Sequence, residues 1–145
     1  MNREGRKRGS SSFYQKKKRG VSSNKAAVIA TAERNGSLNL CVATMGRIGK
    51  EDIMRSIEKP LPYPSILCTD GHVSYKEFAT DNDLTHITLR DDLNQHVKHG
   101  VYHIQNVSSI HNRLKKWIDN TFRGVSTKYL QNYLGWFRLN EKLNK

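Results

Sequence analysis

At 145 residues the chain has the length of one domain, and a hydrophobic share of 36% with a mean hydropathy of −0.73 allows only a modest core. Its 25 Lys and Arg outweigh 13 Asp and Glu, for a formal charge of +12 and a pI near 9.9, which points to a polyanionic partner: nucleic acid first, an acidic membrane surface second. No apolar run is long enough to span a bilayer, and no apolar stretch follows the basic N-terminus as a secretory signal requires.

Residues 1–25 form a distinct basic block. Arg3, Arg6, Lys7, Arg8, Lys16, Lys17, Lys18, Arg19 and Lys25 stand against Glu4 alone, among glycines and serines. Such a composition buries too little apolar area to order itself, so the block is expected to be flexible until it meets phosphate. Arg6, Lys7, Arg8, Lys16, Lys17, Lys18 and Arg19 are its candidate nucleic-acid contacts. A solubilising tail or the basic loop of a larger protein has the same composition.

Residues 26–32 read as a first strand, Arg34-Asn35-Gly36 as a hairpin turn, and residues 38–44 as the antiparallel return. Residues 50–59 carry Ile53, Met54 and Ile57 on one helical face, with Glu51 and Asp52 in the first turn, where the helix dipole favours acids. Pro60, Pro62 and Pro64 end that helix. Residues 65–69 are a short apolar run expected as a parallel strand, 75–80 a short helix, 86–89 a further strand and 90–101 a polar loop. In residues 107–120, Val107, Ile110, Leu114, Trp117 and Ile118 make the apolar stripe of a long helix, and 127–139 form another. This order predicts an α/β layer fold with a mixed sheet. Cys41 and Cys68 lie in apolar strands without zinc spacing, as reduced core thiols of a cytosolic protein would.

Asp70 closes the run Leu67-Cys68-Thr69 and precedes Gly71. Functional groups of open α/β sheets gather at the carboxyl ends of strands, where a carboxylate is placed to hold Mg²⁺. Asp-Gly is equally a common turn pair. On the long helix, Ser108, His111 and Lys115 share one edge of the apolar stripe and are expected to look across toward the sheet. Lys115 there is a point charge for phosphate or an ordinary boundary lysine with a snorkelling stem. His96, His99 and His103 have near-helical spacing, but Gly100 interrupts them and no acid is fixed alongside, a poor zinc site. Trp117, Phe122, Tyr129, Tyr133, Trp136 and Phe137 alternate with Arg123, Lys128 and Arg138; bases stack on such aromatics, although helical spacing favours packing for most.

Several separated stretches carry a resemblance that covers the chain from about residue 5 onward. They are Lys16-Lys17-Lys18-Arg19-Gly20-Val21-Ser22, Ile66-Leu67-Cys68-Thr69-Asp70-Gly71 with Tyr75, Tyr102-His103-Ile104-Gln105-Asn106-Val107, Arg113-Leu114-Lys115, and Gly124-Val125-Ser126-Thr127-Lys128-Tyr129-Leu130 with Asn132-Tyr133-Leu134-Gly135-Trp136. In order and spacing the chain resembles the insertion-sequence transposases of the DDE superfamily, specifically their ISXO-like domain.

The resemblance implies an RNase H-like three-layer fold and two-metal phosphoryl transfer with Mg²⁺ or Mn²⁺, cutting and joining DNA. Asp70 matches the second acid. The family's third group lies seven residues before a helix lysine: counting back from Lys115 reaches Ser108, from Lys116 Ser109, and Asn106 is the nearby residue able to serve as an oxygen ligand. Asp70, Asn106, Ser108 and Lys115 are therefore the candidate catalytic residues, Asp70 and Asn106 the metal ligands, and Lys115, Lys116 and Lys128 further DNA contacts. The family's first acid sits on a strand preceding the basic block, and Glu4 does not match it. The expectation is an N-terminally truncated, inactive copy: a basic segment over 1–25, a partial catalytic domain over 26–140 lacking the first, central strand, and a tail over 141–145. Its implied partners are insertion-sequence ends and target DNA, within a homo-oligomeric transposition complex in the cytoplasm, at the nucleoid when bound to DNA. A non-catalytic nucleic-acid-binding module using residues 1–25 and helix 107–120 is the competing reading, and an RNA-associated basic protein a third.

Overall fold

The computed structural model describes residues 25–57, 61–62, 64–90 and 97–144, with Ser23 and Leu93. In chain order these form β1 (Ala26–Ala32), β2 (Leu38–Met45), α1 (Lys50–Ser56), β3 (Ile66–Thr69), α2 (Val73–Asp81), β4 (Thr85–Thr88), α3 (Gln105–Phe122), a 3-10 turn at Thr127–Tyr129, and α4 (Leu130–Leu143).

The β1–β2 hairpin is antiparallel, with Ala32 opposite Leu38 and Ala30 opposite Leu40. Its turn departs from the two-residue Asn-Gly form. The Gly36 amide donates to the Glu33 carbonyl at 3.0 Å, the Glu33 amide donates to the Ser37 carbonyl at 2.9 Å, and Gly36 is left-handed at φ 92°. Asn35 serves through its side chain instead, its Oδ1 accepting from the Ser37 amide at 2.9 Å. The second strand pair, β3–β4, is parallel, and the short helix α2 carries the crossover between them.

Among the described residues the strands make two separate two-stranded sheets, not the single mixed sheet expected from the element order. Side chains join them instead. Ile29 of β1 packs with Ile53 of α1 and Phe78 of α2, and Leu67 of β3 lies against that group. The other face of the hairpin carries a second cluster: Leu40 with Ile110 and Leu114 of α3 and Leu130, Leu134 and Phe137 of α4, flanked by Val28 and Ala30. Alternation along β1 thus sends Ile29 to one cluster and Val28 and Ala30 to the other, as a strand covered on both faces requires.

Polar contacts hold α4 in place. The Gln131 side chain accepts from the Val42 amide at 2.8 Å and donates to the Leu40 carbonyl at 3.3 Å, closing the edge of β2 that faces away from β1. Arg113 of α3 grips both carboxylate oxygens of Glu141, at 3.1 and 2.5 Å, so α4 continues past residue 140 as part of the packed structure. Arg34 at the hairpin turn donates to the Val101 carbonyl at 2.5 Å and lies over the Tyr102 ring, tying down the segment before α3.

Candidate functional site

The last residue of β3 organises the candidate site. Thr69 is buried; its Oγ1 shares a hydrogen bond with His86 Nε2 of β4 at 2.8 Å and accepts from the Gly71 amide at 3.2 Å, while its carbonyl accepts from the Leu89 amide at 2.9 Å. Asp70 follows at the carboxyl end of the strand, exposed to solvent. Its Oδ1 accepts from the His72 amide at 3.2 Å. Asp70 therefore starts the turn, as the local reading had it, and also stands where the functional reading placed a carboxylate. Gly71 makes the turn at φ 88°, and a Cβ there would lie 2.5 Å from Thr88 Cγ2, so the chain passes against β4 at a distance only glycine permits.

Beyond the turn, the His72 Nδ1 accepts from the Ser74 amide at 3.4 Å, which starts α2 at Val73, two residues earlier than expected. Tyr75, in the first turn of α2, has its phenol pushed up by burial and, secondarily, by the charge of Asp70.

On α3 the apolar stripe holds, with Ile110 and Leu114 buried and Val107, Trp117 and Ile118 half-buried. The expected shared edge divides. His111 is half-buried and its imidazole is held below its ordinary value, by burial first and by Lys115 second. Ser108 and Lys115 do not look across toward the sheet; both are exposed, as are Asn106 and Lys116. The hairpin and α4 cover the face of α3 that carries Ile110 and Leu114, and the flanks at Ser108 and Lys115 stay in solvent. Ser109 is engaged within the helix, its Oγ accepting from Arg113 at 2.7 Å.

No three His, Cys, Asp or Glu residues converge among the described residues, so the zinc reading gains no support and Asp70 does not by itself complete a two-metal site. His99 and His103 are exposed, with His99 edge-on to Tyr102, and His96 lies outside the described residues. Cys41 and Cys68 are free thiols in half-buried positions, and burial pushes the Cys68 thiol up. Arg6, Lys7, Arg8, Lys16, Lys17, Lys18 and Arg19 lie outside the described residues. Lys128 is exposed, its ammonium 5.3 Å from the centre of the Tyr129 ring. Sequence reasoning did not find the Thr69–His86 pair or the Gln131 contact. Both join residues far apart in the chain and have no periodic signature.

Acidification is expected to destabilise this fold. Burial holds His86 below its ordinary value, with Lys76 adding to the effect, and His111 is lowered in the same direction. The unfolded imidazoles take up protons near pH 6.5, at roughly their unperturbed value, and the folded ones only lower. Below that pH the unfolded state binds more protons, so stability is complete above it and declines as pH falls toward the folded values. The urea midpoint at pH 5.5 should lie below that at pH 7.5, and His86→Asn should narrow the gap. Equal midpoints would contradict the account.

A family model described as an ISXO2-like transposase domain matches residues 3–140. Nothing matches among curated proteins or among solved structures. No helix among the described residues is long and apolar enough to cross a membrane.

Proposed function

Because the chain belongs to the ISXO2-like transposase domain family, whose members act on DNA through divalent metals, we propose that it holds DNA through its basic surface and, alone, does not cut it. The observation carrying this reading is Asp70: an exposed carboxylate at the open end of a parallel strand pair, in a chain of formal charge +12. It corresponds to the second acid of the family's site, and Lys115, Lys116 and Lys128, all exposed, are free to meet phosphate as point charges. Two-metal transfer needs several oxygen ligands converging on one place. Asn106 and Ser108 are the residues proposed for the third position, but the described residues do not gather a sufficient set around Asp70. The described residues as they stand do not fit the metal pair.

The same reading gives the two sheets a common origin. β1 and β3 each pair with one neighbour among the described residues, and Ile29 and Leu67 meet in one cluster. A strand lying between them would unite the hairpin and the parallel pair into one mixed, RNase H-like sheet. In a complete transposition complex, insertion-sequence ends and target DNA would be held by several such chains.

The test uses a labelled DNA duplex with Mg²⁺ or Mn²⁺, beside the Asp70→Asn variant. The expected result is binding without cleavage by either protein. Affinity should fall roughly 10³- to 10⁵-fold between 50 and 200 mM salt if about six to ten phosphates are contacted, and Lys115→Ala should make that dependence shallower by about one contact. Cleavage that Asp70→Asn abolishes would overturn the inactive reading. Failure to bind DNA would overturn the whole, and preference for structured RNA would favour the RNA-associated alternative.

A further inference from the structure

Not all aromatic residues of α3 and α4 are consumed by packing. Phe137 is buried, and Trp117 meets it at 5.6 Å between ring centres. From this root the cluster grows outward: Trp117 edge-on to Trp136 at 5.5 Å, Phe122 against Trp136 at 5.7 Å, and Phe122 edge-on to Tyr133 at 4.8 Å. At its outer end Trp136 and Tyr129 each remain 51% exposed. With Asn132 and Tyr133 they line a surface groove of about 260 Å³.

Three properties of this groove point to one occupant. The Trp136 indole is braced by two other rings, so a planar ligand stacking on it orders little that is not already ordered. The Lys128 ammonium stands over the Tyr129 ring, in a chain of formal charge +12, so the surroundings favour an anionic chain over an apolar one. The Asn132 amide, at the groove wall, offers both a donor and an acceptor to a base edge. Stacked base pairs in a duplex hide their ring faces, whereas an unpaired base presents one.

We propose that the groove formed by Tyr129, Asn132, Tyr133 and Trp136 takes an unpaired nucleobase, so that the domain favours DNA with a single-stranded overhang or an extruded nucleotide over a blunt duplex. This rests on the reading of the chain as a DNA-binding domain, and its test keeps the two apart.

Affinities of the full chain and of Trp136→Ala, Trp136→Phe and Tyr129→Ala are measured by anisotropy against a blunt duplex and the same duplex with an unpaired overhang, alongside circular dichroism and sedimentation of each protein. The native chain should prefer the overhang by about tenfold or more, the scale of one base–aromatic stack. Trp136→Ala should erase that preference and leave blunt-duplex affinity unchanged, and Trp136→Phe should retain part of it. A native chain without the preference, or equal losses on both DNAs, overturns the proposal while the DNA-binding reading stands. A shift to smaller species in Trp136→Ala would assign the groove to contact between copies and also overturn it. No binding to either DNA sinks both readings.

Discussion

Gly71→Ala should lower the stability of the chain by about 2–5 kcal/mol, from two separate causes. The first is conformational: a left-handed backbone costs a residue with a Cβ about 1–2 kcal/mol. Gly71 stands at φ 88°, in the left-handed region where a side chain is strained. The second is steric: the new Cβ would meet Thr88 Cγ2 at 2.5 Å. Threonine is stiff at χ1, so the methyl does not swing aside as a long flexible chain would, and such overpacking typically costs about 1–3 kcal/mol. The causes separate in a double mutant. Thr88→Ala removes the methyl and leaves the nearest remaining atom, Thr88 Cβ, at an ordinary 3.9 Å. Gly71→Ala in the Thr88→Ala background should therefore cost only the conformational part. Urea midpoints for the four proteins check this; a Gly71→Ala midpoint matching the native one would show that the turn relaxes freely.

Leu134→Ala should be at least as damaging, at about 3–5 kcal/mol, the upper part of the range for a fully buried leucine that leaves a cavity. Leu134 has no exposed surface and belongs to the cluster of Leu40, Ile110, Leu114, Leu130 and Phe137 where α3, α4 and the hairpin meet. Against a typical total of roughly 5–15 kcal/mol, that loss removes much of the margin. Hydrogen exchange should report faster opening of α3 and α4 than of β3 and β4, whose packing runs through Ile53 and Phe78. Leu134→Met, nearly volume-conserving, should cost less than about 1.5 kcal/mol. Uniform acceleration across both clusters would show that the fold opens as one unit.

Local pattern determined how much of this could be read in advance. The first strand falls on Ala26–Ala32 as expected, because a short apolar run with β-branched Val28, Ile29 and Thr31, ended by a turn signal, marks a strand buried on both faces. The long helix follows its stripe, and extends to Gln105–Phe122 because its polar ends have no periodic marker. Asp70 was legible as a strand-end carboxylate, since its strand and its glycine are adjacent in sequence. Its surroundings were not: whether β1 and β3 share a ladder depends on backbone partners far away in the chain, which hydrophobic period does not encode. Ser108 and Lys115 were placed correctly on the helix and wrongly toward the sheet. A wheel gives the angle of a residue but not the width of the surface beneath it. The aromatics of the C-terminal segment divide as helical spacing favours for most but not all of them: Phe137 is buried, while Trp136 and Tyr129 each keep half their surface in water.

The Gln131 amide holds the outer edge of β2 as a peptide group would, presenting one acceptor to Val42 and one donor to Leu40. A strand edge sealed by a single side chain is only as durable as the helix that delivers it. When α4 lifts, those two backbone groups become a template on which a strand from another molecule can grow. The storage life of a concentrated preparation would then be governed by the docking of one helix, well short of the temperature at which the chain melts.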